Sequence, residues 1–298
     1  MNATAVSDDA VESPSTADLP VTIYTPESPL RQPGVFLRGM FADIWKGREL
    51  AWRLFVRDLS AQYRQTYLGY FWAFLPPLVA AATFIFLQSQ GIVKVEGLGM
   101  PYAAFAMIGT LLWQTFVEAI QSPLTAVQSA KPMLAKINFP REAILMASLY
   151  AVLFNLLIRL ILVVAVLGAW QIIPSLTLLW FPVTMVGLIG CGFAAGLFLL
   201  PVGALYGDIG RAVPIVAQFL MLLTPVVYPA QTSGRLALLT ALNPVAPVLV
   251  TARESLTGVP LTSLVPCLVV TVLALAVCFI GIAAFRLVMP ILIERMGG

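Results

Sequence analysis

Six long apolar stretches leave this chain few folds to choose from. They cover residues 70–91, 101–122, 142–169, 175–203, 212–229 and 261–288, and the fifth is the shortest. A helix needs about 20 mostly apolar residues to cross the hydrocarbon of a bilayer. A spanning barrel would instead alternate polar and apolar residues over strands of about 10, whereas these runs are apolar all round. The expectation is an all-α polytopic membrane protein with six transmembrane helices. Composition agrees: 60% of the 298 residues are hydrophobic and 10% charged, against about 25% charged in soluble domains.

Lysine and arginine set the expected orientation. With both termini in the cytoplasm, thirteen of them face inside and three outside, and Arg159 falls within a span. The bias of basic residues toward the cytoplasmic side therefore predicts both ends inside a multi-pass cytoplasmic (inner) membrane protein. Three regions follow. Residues 1–35 are expected to be a disordered cytoplasmic tail, because MNATAVSDDAVESPSTADLP is acidic, rich in Ser and Pro, and lacks the basic and apolar segments of a secretory signal. Residues 36–68 form an interfacial region, and 69–298 the transmembrane domain.

Ahead of the first span runs RDLSAQYRQTYLGYFWAFLPPL, from Arg57 to Leu78. On a helix over 43–67, Lys46, Arg53, Arg57 and Arg64 fall on one stripe. Trp45, Trp52, Phe55, Val56, Leu59 and Tyr63 fill another face. A basic stripe beside an aromatic one suits a helix lying in the membrane interface against membrane lipids. A solvated helix packed on a protein partner is the alternative. Gly69 supplies a corner, and Pro76 and Pro77 kink the start of the span.

Two loops stand out. SPLTAVQSAKPMLAKINFPRE (122–142) reads as a short helix capped by Ser122 with Pro123 in its first turn. Exposed Leu134, Ile137 and Phe139, with Lys136, would dock it on a soluble partner; a plain connector is the alternative. The outer segment 228–260 holds two amphipathic pieces, 233–242 and 245–257, split by Asn243-Pro244. Both are too short to cross and too apolar for a free loop. They read as a re-entrant helical hairpin, or else as a partly submerged outer surface. In the 206–214 loop, Asp208 and Arg211 are close enough to interact at a helix start.

Few ionisable residues enter the spans. Glu118 is placed near the inner end of the second and Arg159 about two-thirds along the third, so their expected depths differ and they are not paired. Arg159 lines a pathway or pairs structurally. The chain contains no histidine, the commonest general base and metal ligand. Cys191, Cys267 and Cys278 lie in apolar runs without CxxC spacing and read as small apolar residues. With no GxxxxGK[ST] loop, the chain is not expected to bind ATP itself. No metal site or nucleic-acid interface is read from it, and the scarcity of histidine and carboxylates in the spans argues against a membrane-embedded enzyme.

The ordered features resemble the permease subunits of ABC-2-type polysaccharide exporters, the transporters of O-antigen, teichoic acid and capsular glycans. Arg57-Asp58, Tyr63-Arg64, Leu68-Gly69, Trp72 and Pro76 match the approach to the family's first span. NFPRE (138–142), LLTPVVYP (222–229) and LNPVAPVLVTARESLTG (242–258) resemble later blocks in the same order, so the likeness covers about residues 40–298. Gly207 departs from it, standing where the family has a basic residue. The resemblance implies a homodimer joined by two copies of a separate ATPase subunit, with ATP and Mg bound there and no cofactor on this chain. It makes 122–141 the coupling segment and 230–260 the outer gate. A lipid-linked glycan would pass between cytoplasm and outer face, its sugars sliding over aromatic faces. The candidate path is Tyr63, Tyr67, Tyr70, Phe71, Trp72, Arg159, Phe219 and Tyr228. ABC-2 exporters of drugs or small lipids are the alternative, which the tyrosine-rich approach disfavours.

Overall fold

The computed structural model describes residues 33–63, 71, 75–91, 100–134, 139–229, 240 and 242–297. Residues 33–39 belong to a short unit and form the opening turns of a helix; the compact unit begins at Met40. The regular elements are α1 (Pro33–Tyr63), α2 (Leu75–Ser89), α3 (Tyr102–Leu134), α4 (Glu142–Ala169), a 3₁₀ helix (Leu176–Trp180), α5 (Phe181–Leu205), α6 (Asp208–Leu223), α7 (Val245–Thr257) and α8 (Leu264–Gly297). No strand occurs among the described residues.

Among the described residues, four segments are long and apolar enough to cross a membrane: Tyr102–Leu134, Glu142–Ala169, Leu176–Leu205 and Leu264–Pro290. The first and fifth expected spans are shorter helices. α2 has 15 residues and α6 has 16, about 22 and 24 Å at 1.5 Å per residue. α6 opens at Asp208, earlier than the run suggested, and the chain leaves it at Thr224.

The second span carries the main correction. Ser122 and Pro123 do not start a separate helix; both lie inside α3, which continues to Leu134. Proline cannot donate to the carbonyl four residues back. Here the Ser122 hydroxyl donates to the Ala119 carbonyl instead, at 3.5 Å, and the helix runs on. Leu134, expected to be exposed, is 7% exposed and belongs to the core. Phe139 is half-buried against that core. Lys136 and Ile137 lie outside the described residues.

α3 is the axis of the bundle, buried along most of its length. α5 crosses it closely through Gly192 and Gly196. A Cβ on Gly192 would stand 2.5 Å from the Phe116 carbonyl oxygen, and one on Gly196 would strike that of Ile120. This is the small-xxx-small contact by which membrane helices approach without a side chain between them. α4 and α8 lie outermost and present Leu157, Ile161 and Val164, and Val265, Val272 and Ile280, outward. Apolar side chains facing outward suit a lipid surround.

α1 packs on the bundle with a face that the apolar pattern underrated. Met40, Ala51, Leu54 and Phe55 are buried. Gly47 meets Ala143 and Pro140 closely enough that an added Cβ would lie 3.3 Å from the Ala143 Cβ. Phe55 meets Tyr150 of α4 edge-on and Phe154 at a tilt. Trp45, Trp52 and Val56 are exposed, as are Lys46, Arg53 and Arg57. Of the face read from sequence, Phe55 therefore turns inward.

Candidate functional site

The α3–α4 and α5–α6 turns share one end of the bundle with most of the basic residues. The 3₁₀ helix and α7 sit at the other. Two arginine sites and a polar cleft organise the space between.

Glu118 stands midway along α3, sixteen residues from either end, and α4 runs antiparallel beside it. That register brings Arg159 to the same depth. Arg159 Nη2 lies 2.5 Å from Glu118 Oε2, with the two side chains 16% and 20% exposed. Arg159 Nη1 donates to the Thr115 hydroxyl at 3.3 Å, and Asn155 Nδ2 donates to Glu118 Oε1 at 2.5 Å. The expectation that the two charges lie at different depths is overturned. It assumed that the span ended at 122, which placed Glu118 near a helix end rather than at its centre.

The pair opens on a cleft of about 920 Å³ between α1, α2, α3, α4 and α6. Five carboxamides line it: Gln62, Gln114, Gln121, Asn155 and Gln218. A second cavity of about 250 Å³ lies between α1, α3 and α4 and shares Gln62, Ser122, Thr125, Ala151 and Asn155 with the first. The polar lining of α3 follows a helical face. Thr110, Gln114, Glu118, Gln121, Thr125 and Ser129 recur at spacings of four, four, three, four and four. At 1.5 Å per residue that stripe is about 28 Å long, close to the thickness of the hydrocarbon core. The spacing was visible in the sequence, but six separated polar residues do not interrupt an apolar run.

At the opposite end Arg253 of α7 is 4% exposed. Its Nη2 donates to the carbonyls of Pro225 and Val226 at 3.0 and 2.7 Å, and its guanidinium lies over the Phe105 ring at 3.7 Å. Gly109 leaves the room: a Cβ there would meet the Val226 carbonyl oxygen and, at 2.5 Å, Arg253 Nη2. Burial pushes the guanidinium down to about 9, which keeps it charged at neutral pH. The neighbouring Glu254 turns away to bind the Thr262 backbone N–H and hydroxyl. Asn243 joins this end together, donating to the Thr224 hydroxyl at 2.7 Å and accepting from the Val245 N–H at 3.0 Å. α7 is the second expected amphipathic piece. It is buried among α3, α5 and α8 and closed by Gly258 in the left-handed region. Most of the first piece, residues 233–239 and 241, lies outside the described residues.

A third arginine, Arg286 of α8, reaches Asp43 of α1 at 2.6 Å and Glu142 at 2.9 Å. Glu142 sits in the first turn of α4, where the helix dipole also favours a carboxylate. The cluster ties α1, α4 and α8 together at the basic end.

Other candidates are scattered. Phe71 and Phe219 are exposed. The Tyr228 hydroxyl donates to the Leu222 carbonyl at 2.9 Å. Tyr63 closes α1, while Arg64, Tyr67, Tyr70 and Trp72 lie outside the described residues. Asp208 and Arg211 both lie in the first turn of α6, where they make a largely solvated pair at 3.8 Å, and Asp208 makes no capping hydrogen bond.

The profile of the ABC-2 type transporter family matches residues 49–257. The chain belongs to that family. Among curated proteins this ABC-2 chain is 25% identical over 206 residues to the O-antigen export system permease protein RfbA of Myxococcus xanthus, covering 68% of the chain and 78% of the relative. It is 23% identical over 201 residues to the protein of the same name from Klebsiella pneumoniae, covering 66% and 76%. The matched segment holds the cleft, the Glu118–Arg159 pair and Arg253.

Proposed function

We propose that this chain is the permease subunit of an ATP-driven exporter that moves a lipid-linked, O-antigen-like polysaccharide from the cytoplasm to the outer face of the inner membrane. The observation that carries the reading is the similarity, over two-thirds of the chain, to permeases named for O-antigen export. The polar cleft supports it, because a hydroxyl-rich chain cannot cross hydrocarbon without a polar lining.

In this reading two copies pair and two ATPase subunits join them, with ATP and Mg held on the ATPases. Both termini face the cytoplasm, and α2 and α6 complete six membrane-inserted helices. α1 lies at the interface, with Trp45 and Trp52 toward acyl chains and Lys46, Arg53 and Arg57 toward headgroups. The turn after α3, with Lys136, Ile137 and Phe139, receives the ATPase. Leu134 acts there through packing, since it is buried. The 230–260 segment serves as the outer gate, and Tyr63, Tyr67, Tyr70, Phe71 and Trp72 frame the way in.

The test is a detergent pull-down of the tagged chain from its host, with mass spectrometry of the bound proteins. A stoichiometric ATPase subunit is expected. Its reproducible absence from an intact, dimeric sample would contradict the reading.

A further inference from the structure

We infer that the turn between α4 and α5 is seated in the lipid of the leaflet opposite the basic end of the bundle, and that this seat holds the end of α7 in place. This goes beyond the export reading and needs only that the chain spans a membrane.

A turn between two spans ordinarily meets water and carries charge. This one does not: no Asp, Glu, Lys or Arg occurs from Leu160 to Gly207. Ile173, just before the 3₁₀ helix, and Leu176 and Leu179 within it recur at a spacing of three. Residues three apart in a 3₁₀ helix lie on one face. Their side chains are 84%, 85% and 77% exposed, the most exposed large apolar groups among the described residues. Trp170 and Trp180 bracket the row, and tryptophan favours a membrane–water boundary.

The surroundings suit lipid rather than a protein partner. α4 starts at the basic end and has 28 residues, about 42 Å at 1.5 Å per residue. A bilayer with its headgroups is about 40–45 Å thick, so the turn comes at the far headgroup boundary. Apolar side chains face outward on the helices either side of it, Leu157, Ile161 and Val164 on α4 and Val186 and Phe198 on α5. A protein-docking patch carries a polar rim, whereas the hydroxyls here are engaged within the chain. Ser175 Oγ accepts from the Thr177 N–H at 3.3 Å, and the Thr177 hydroxyl donates to the Ser255 carbonyl of α7 at 3.3 Å. Gly258 packs beside that bond, where a Cβ would stand 3.2 Å from the Ile173 carbonyl oxygen. One side of the turn therefore grips the end of α7, and the other offers its apolar row to acyl chains.

The experiment uses the full chain in vesicles of phosphatidylethanolamine and phosphatidylglycerol. Ile173→Cys, Leu176→Cys and Leu179→Cys are made one at a time together with Cys191→Ala, Cys267→Ala and Cys278→Ala, and labelled with a bimane. Arg211→Cys, at a side chain 87% exposed, is the water control. Nitroxide-bearing lipids are expected to quench the three probes, at a depth of about 5–10 Å inside the headgroup boundary. Iodide on both faces should quench the control alone. Probes quenched by iodide as fully as the control would put the turn in water and overturn the seat. Quenching by neither agent would mean that a second copy covers the row, which overturns it too.

A second measurement needs no cysteine variant. Leu176→Ser with Leu179→Ser weakens the seat and keeps the Thr177–Ser255 bond. Amide exchange in the last turn of α7 should become about tenfold faster, with α3 unchanged. Unaltered exchange in α7 would overturn the hold on it. Neither readout depends on what is exported, so a failure of the export reading leaves both results standing.

Discussion

Arg253 and Arg159 are both arginines taken into a membrane domain, and the protein treats them in opposite ways. Among the described residues Arg253 has no ion-paired carboxylate. It is enclosed by two backbone carbonyls and an aromatic face in a space that Gly109 keeps clear. Nothing there can rearrange without leaving carbonyls and a charge unpaired, so α7 is pinned to the turn that follows α6. Arg159 is held by side chains alone, Glu118 and Thr115, with Asn155 on the far side of the carboxylate, at the wall of an open cleft. Side-chain partners can exchange for a ligand or water at modest cost. One arginine closes a structure and the other lines an open cleft.

The sharpest way to break that contrast is Arg253→Met. It removes both carbonyl contacts in a buried site, so a loss of about 3 kcal/mol is expected, read as a fall in thermal midpoint in detergent. Stability equal to the parent would mean that α7 is not pinned there. Next comes a double-mutant cycle on the cleft pair. Glu118→Ala alone should cost about 2 kcal/mol by leaving Arg159 uncompensated, and adding Arg159→Met should recover most of it. Additive losses would show that the two groups do not act as a pair. A smaller effect, about 1 kcal/mol, is expected for Arg286→Gln because its cluster is partly solvated. Its clearer signature is faster hydrogen exchange in α1 with α3 unchanged. At the bottom of the scale, Trp45→Ala should leave the midpoint within about 0.5 kcal/mol, since the ring is 69% exposed. A large loss would place Trp45 in a protein contact.

The contrast also marks how much the sequence could tell. α4 and α7 were legible almost to the residue. A proline precedes each, at 140 and 244, and Gly258 closes α7 in a conformation that suits glycine. α3 was misread because Ser122-Pro123 has the chemistry of a helix start, whereas here both residues are buried inside a packed helix, with the Ser122 hydroxyl bonded back to the Ala119 carbonyl. From that error followed the wrong depth for Glu118 and the wrong exposure for Leu134. The packing face of α1 was hidden because Gly47 and Ala51 register as neither polar nor strongly apolar. Arg253 registered only as an outer-loop charge, since cation–π contact and carbonyl capture depend on residues far away in sequence. The family was recognisable from ordered blocks. The cleft needed the antiparallel register of α3 and α4, which periodicity alone does not supply.

The most direct test of the central claim is deletion of the gene in its host, with quantification of surface polysaccharide and of lipid-linked glycan on the cytoplasmic side. The account predicts loss of the surface glycan, build-up of the lipid-linked form inside, and restoration by the intact chain. Normal surface polysaccharide in the deletion strain, with no internal build-up, would contradict it.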